Sequence, residues 1–220
     1  MTRAESRRRG LRQSAVLALP TAAVGLTFGV LAAPLMGPVA TVAMSLLVWS
    51  GTAQFAAITA LGAGAGTGVG VITGLLANTR FLPLGFAIAP SLRSSVLARA
   101  ATGAAITDAS FVIAHTEGGR FDITALRWAF PVQYVSWAAG TVAGVLSTDL
   151  IGDPATLGLD VLFPVFYLSL LLPELKARRA QLVAVLSAGV TLAAVPLAPA
   201  GLPVLIASAT ALIGLRRTIA

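Results

Sequence analysis

The sequence predicts an all-α, polytopic helical membrane protein of six to eight transmembrane segments, with room for re-entrant or broken helices among them. Three observations lead there. Hydrophobic residues make up 57% of the 220 and charged residues only 10%, at a mean hydropathy of +0.90, whereas soluble domains carry roughly 25% charge. No ionisable side chain occurs between Gln13 and Thr79, a stretch about three times the ~20 residues that cross a ~30 Å hydrocarbon core. These runs are apolar on every face, unlike the alternating strands of a closed barrel. Helices remain, because their backbone groups satisfy one another in lipid.

The chain opens on a basic tail over 1–13 with Arg3, Arg7, Arg8, Arg9 and Arg12. The apolar run behind it contains Val30-Leu31-Ala32-Ala33 and imitates a secretory signal. That run is far longer than an h-region of ~7–15 residues and more apolar segments follow, so a retained first helix is expected. Apolar segments fall at 14–35, 39–62, 67–91, 100–116, 128–148, 156–174, 180–197 and 201–215, punctuated by Pro, Gly and charged residues. Eight full crossings would place the Arg93/Arg99 loop and the Lys176/Arg178/Arg179 loop on opposite sides, against the positive-inside rule. Treating 39–64 as a hairpin from outside and 100–116 as one from inside puts every basic cluster in the cytoplasm. The crossings are then 14–35, 67–91, 128–148, 156–174, 180–197 and 201–215. Asp149 and Asp153 lie in an outer loop on this reading, and both termini lie inside. Seven or eight ordinary spans are the alternative. The expected domain plan is the tail 1–13, one transmembrane domain over 14–215 and a short cytoplasmic tail at 216–220.

The net charge of +7 does not point to nucleic acid, since the basic residues cluster at the ends of apolar runs rather than in a stripe with aromatics. The chain has no Cys, which removes disulfides and thiolate chemistry.

Polar residues within apolar runs carry the chemistry. In Trp49-Ser50-Gly51-Thr52-Ala53-Gln54-Phe55, glycine beside hydroxyl and amide side chains allows a helix to unwind at membrane depth and offer backbone groups to a ligand. The half-helix that continues would turn a partial positive charge toward a carboxylate. Close helix packing through Ser50, Gly51 and Thr52 explains the same residues without a ligand. Asn78-Thr79-Arg80 sets an arginine inside the third segment, at a cost of ~2.5–3.5 kcal/mol on insertion scales. It would bind a carboxylate, pair with Asp108, or snorkel to the interface. Asp108 is the one carboxylate flanked on both sides by apolar sequence. Apolar surroundings favour a protonated carboxyl and make a proton cycle possible, while an N-cap or a partner role for Arg80 is the structural reading. His115, the sole histidine, is expected to be interfacial or packed. It lacks companions for a metal site, and neither Gly-x-Ser-x-Gly nor a phosphate loop occurs in the sequence. No cofactor, metal or enzymatic activity is expected.

Leu19-Pro20, Gly25, Phe28-Gly29-Val30-Leu31-Ala32, Met44-Ser45, Gly51-Thr52-Ala53-Gln54-Phe55, Asn78-Thr79-Arg80 and Thr107-Asp108 together resemble the AzlC/BrnF-type (YgaZ-like) large subunit of branched-chain amino acid permeases. The most specific element is Gly51 to Phe55, similar to the family's Gly-Ser-Ala-Gln-Phe. The resemblance implies an exporter of branched-chain amino acids, with methionine a further candidate, in the bacterial-type inner membrane. It also implies a small hydrophobic AzlD/BrnE-type membrane subunit as partner. Gly51, Thr52, Gln54, Phe55, Asn78 and Arg80 are then expected to line the solute path, with Asp108 coupling transport to protons. Phe81 stands where the family often has His, and Ala109 where it often has an acidic residue. These departures bear on substrate identity and coupling. A membrane scaffold subunit with no solute path of its own is the rival of a different class.

Overall fold

A computed structural model describes residues 2–64, 66–92, 95–116, 119–151 and 175–197, with isolated positions among 158–172 and at 206, 207 and 210. Its elements are α1 (Arg3–Met36), α2 (Pro38–Leu47), α3 (Gly51–Gly62), α4 (Thr67–Asn78), α5 (Phe81–Ile88), a 3-10 turn (Ala89–Ser91), α6 (Val96–Ala104), α7 (Asp108–Ala114), α8 (Ile123–Ile151) and α9 (Arg178–Ala194). Two-residue strands β1 (His115–Thr116) and β2 (Arg120–Phe121) pair antiparallel between α7 and α8. The protein is an all-α membrane protein. Its chain forms two compact units, one of Met1–Gly51 with Phe81–Phe166 and one of Thr52–Arg80 with Tyr167–Ala220.

The basic residues at the N-terminus are helical. Thr2 caps α1 by accepting from the Glu5 amide at 3.2 Å, and the Glu5 carboxylate accepts from the Thr2 amide at 2.6 Å. This capping box starts the helix at Arg3, so the arginines form its first turns. Gly37, at φ +81°, ends α1, and Pro38 opens α2 where its missing amide proton costs nothing.

The first unit is organised by a seam between α1 and α8. A Cβ on Gly10, Gly25 or Gly29 would strike the backbone of Ala125, Trp137 or Thr141, and one on Gly140 or Gly144 that of Ala22 or Leu26. Partner numbers rise together, so the two helices run parallel, and their missing side chains let the backbones touch. Polar groups meet inside this seam. Thr21 Oγ1 donates to Gln133 Oε1 at 2.8 Å and Gln133 Nε2 donates to the Ser14 carbonyl at 3.2 Å, while beside the seam the hydroxyls of Ser45 on α2 and Thr141 on α8 share a bond of 2.7 Å. Replacing Gln133 by Leu leaves the Thr21 hydroxyl buried without its acceptor, and a loss of about 1 kcal/mol is expected. Adding Thr21→Val should cost less than its effect alone in wild type, as read by thermal unfolding in detergent micelles.

Two helical stretches among the described residues are long and apolar enough to cross a membrane, α1 and the α4–α5 run Thr67–Ser91. The α6–α7 pair would make a third if taken as one span, but it bends by 114°. The expected crossings 14–35 and 67–91 therefore match helices of spanning length and apolarity, and the expected hairpin 100–116 falls on the bent pair. The segment 39–64 falls on α2 and α3, broken at Val48–Ser50. Over 128–148 lies α8, whose 29 residues are ample in length but whose mean apolarity is lowered by polar residues such as Gln133, which faces α1, and Thr141, which bonds Ser45 on α2. Its Val135, Leu146 and Leu150 are exposed. Asp149 lies in the last turn of α8 rather than in a loop, because the helix continues to Ile151. The segment 180–197 corresponds to α9, 17 residues long. The crossings expected at 156–174 and 201–215, Asp153, and the tail at 216–220 lie essentially outside the described residues.

Candidate functional site

Each polar motif coincides with an interruption in a helix. At the first, the Val48 amide donates to the Met44 carbonyl and the Ser50 amide to the Val48 carbonyl, both at 2.8 Å. Helix α3 then restarts at Gly51. Ending α2 exposes carbonyls that need donors, and Tyr134 supplies one, its hydroxyl donating to the Leu46 carbonyl at 2.9 Å. Phe130 and Tyr134, four residues apart on α8 and hence on one face, enclose Trp49 at ring-centroid distances of 5.3 and 4.9 Å. The buried indole Nε1–H of Trp49 has no hydrogen-bond partner among the described residues. In the first turn of α3, Gln54 is fully buried and Gly51, Thr52 and Phe55 are half-buried.

The second interruption separates α4 from α5 at Thr79 and Arg80. The Thr79 amide donates to the Leu76 carbonyl at 3.1 Å, and its hydroxyl donates to the same oxygen. Asn78 and Arg80 are half-buried, and the buried Oδ1 of Asn78 has no hydrogen-bond partner among the described residues. An orphaned acceptor at such a place is a group that a ligand donor can satisfy.

The third lies between α6 and α7. Thr107 caps α7, accepting from the Ser110 amide at 3.1 Å, while the Thr107 amide donates to Ser110 Oγ at 2.8 Å. Ser110 Oγ in turn donates to the Ala105 carbonyl at 2.8 Å. The cap is thus Thr107, and the N-cap role considered for Asp108 does not hold. Asp108 is the first helical residue and is half-buried.

Within the second unit, α3 and α4 pack antiparallel. Gly74 faces Ala53, and Gly70 faces Ala57 and Leu61 at 3.4 Å. This register brings the first turn of α3, with Thr52, Gln54 and Phe55, to the same end as Asn78 in the last turn of α4. Gly51 and Asp108 belong to the first unit. His115 is exposed, its ring lies tilted with its centroid 5.5 Å from that of Phe121, and its carbonyl accepts from Arg9 Nη2 at 2.9 Å. Among the described residues no three His, Asp or Glu side chains converge on a metal-binding position. Sequence reasoning missed the aromatic enclosure of Trp49. Its signal was available only as the aromatic pair at 130 and 134.

The fold and its interruptions define a helical membrane protein with polar motifs set at breaks in apolar helices, and the family match places it in the transport-related class. The chain is a member of the AzlC protein family, whose family model matches residues 16–151 and so takes in all three interruptions. That family is transport-associated and not a family of enzymes. A comparison with curated proteins finds no match, and a comparison with solved structures finds none either.

Proposed function

We propose that this chain is the large subunit of a secondary transporter that exports branched-chain and other hydrophobic amino acids. It works in a bacterial-type inner membrane with its N-terminus in the cytoplasm. The observation that carries the reading is the first turn of α3, Thr52 to Phe55, at the end of the α3–α4 pair where Asn78 keeps an orphaned acceptor. A helix start turns amide protons and a partial positive charge toward a carboxylate, and an amide oxygen accepts from an ammonium group. An α-amino acid carries both. Thr52, Gln54 and Arg80 complete the polar side of the path, and Phe55 and other apolar walls take the side chain of Leu, Ile or Val, worth ~1.5–3 kcal/mol when fully buried. Asp108 exchanges a proton during the cycle. A small hydrophobic AzlD/BrnE-type subunit assembles with the chain, in keeping with the family resemblance.

The test is efflux of preloaded labelled valine, leucine and methionine from cells that express the chain with and without the small subunit. Faster efflux that requires the partner, and that falls at least tenfold in Gln54→Leu at equal membrane abundance, is the expected result. Efflux of none of the three above background, with the protein verified in the membrane, would remove the exporter reading and leave the scaffold.

A further inference from the structure

The cluster of arginines at the start of α1 forms a wall of a groove. This groove, of about 900 Å³, lies between the first turns of α1 and the start of α8, with Arg3, Arg7, Arg8 and Arg12 on one side and Thr124 and Trp128 on the other. Charge alone would satisfy the positive-inside rule, which asks nothing of geometry. Here the geometry is organised. The Arg7 guanidinium sits 4.2 Å above the Trp128 ring, a cation–π contact that holds its donors in place. Arg9 is turned to another task, bonding the His115 carbonyl. Among the described residues, the Glu5 carboxylate accepts from the Thr2 amide and Asp122 Oδ1 from the Ala125 amide at 3.0 Å, and neither carboxylate lines the groove. Four guanidinium groups thus line the groove, and none of its lining residues is a carboxylate.

What lies beyond the charged rim decides the ligand. On α1 the row Arg8-Arg12 continues at helical spacing into Val16 and Leu19, which are 73% and 79% exposed. On α8 the row Thr124-Trp128 continues into Val135, 63% exposed. Beyond the groove's lining residues, the two helix rows thus turn from guanidinium and indole to bare aliphatic surface. We infer that this groove is a binding site for an anionic phospholipid, its phosphate held by Arg7, Arg8 and Arg12 and an acyl chain laid along Val16 and Leu19. Guanidinium matches phosphate oxygens in paired hydrogen bonds, and a tryptophan belongs at the depth of the headgroup. A free phosphate would use the rim and leave the apolar rows uncovered, which is why a lipid and not an inorganic anion is the occupant. Basic grooves beside membrane helices are recognised sites for such headgroups.

The full chain in detergent micelles, titrated with phosphatidylglycerol or phosphatidylcholine and read by native mass spectrometry, tests this. Phosphatidylglycerol should be retained in preference to phosphatidylcholine. Joint replacement Arg7→Gln, Arg8→Gln and Arg12→Gln should weaken that retention by at least roughly tenfold, whereas Lys at the same three positions should weaken it less. A second readout needs no arginine variant. Brominated phosphatidylglycerol should quench tryptophan emission more than brominated phosphatidylcholine does, and the difference should vanish in Trp128→Phe. Retention unchanged in the triple Gln variant, displacement of the lipid by millimolar inorganic phosphate, or equal quenching by the two lipids would each overturn the site.

Discussion

Substituting valine for Gly140 is expected to leave little folded protein. An ideal Cβ at this position would lie 2.8 Å from the carbonyl carbon and 3.0 Å from the Cα of Ala22, and nearer still to the Ala22 carbonyl oxygen. The obstacle is backbone, so no rotamer change relieves it. The helices would have to part, and parting them strips the neighbouring Thr21–Gln133 and Ser45–Thr141 bonds of their geometry. Overpacking of this kind costs ~3 kcal/mol, a large share of the stability of most domains. Gly189→Val on α9 is the comparison, because nothing lies within 4 Å of a Cβ there. The measurements are the fraction of monodisperse protein after solubilisation and its apparent Tm. Equal behaviour of the two variants would mean that the seam is not under this constraint.

The second large effect concerns Asp108. Asparagine keeps the shape of a protonated carboxyl but can neither release nor take up the proton, so Asp108→Asn should cut gradient-driven efflux at least tenfold. Exchange of labelled for unlabelled substrate at equilibrium moves no net proton and should persist. In wild type, an inward proton gradient should accelerate efflux and a protonophore should abolish that acceleration; in the variant, neither should matter. Gradient-driven efflux at the wild-type rate in the variant would remove Asp108 from the coupling step. Loss of exchange as well would assign the residue to the path or to the structure of the α6–α7 bend.

The interruption at Gly51 was legible in the sequence because unwinding at membrane depth requires local residue types, and the hairpin expected over 100–116 falls on the α6–α7 bend; the break at Thr79 and Arg80 was not, since 67–91 was expected as one crossing. The helical start at Arg3 was legible too, since Thr2 and Glu5 stand at capping-box spacing. Read as a basic tail, that signal was passed over. The α1–α8 seam was not legible. Gly25 and Gly29 mark a small-residue face on α1, but a face does not name its partner. The same holds for Trp49, whose rings Phe130 and Tyr134 come from a helix about 80 positions on in the chain. The polar content of α8 was visible, yet which way Gln133 and Thr141 pointed depended on a neighbour that periodicity alone could not specify. Thr107 rather than Asp108 as the cap of α7 is a choice between adjacent residues that backbone geometry settles and composition does not.

The parallel seam also sets a schedule for synthesis. Thr21 and its acceptor Gln133 are 112 positions apart, and ribosomes add ~5–20 residues per second. The first helix therefore enters the bilayer roughly 6 to 22 seconds before α8 exists to cover it. Through that interval its glycine face is open to lipid and to other nascent helices, and its Thr21 hydroxyl has only its own backbone for company. A slowed ribosome would lengthen the period in which the wrong neighbour can take α8's place.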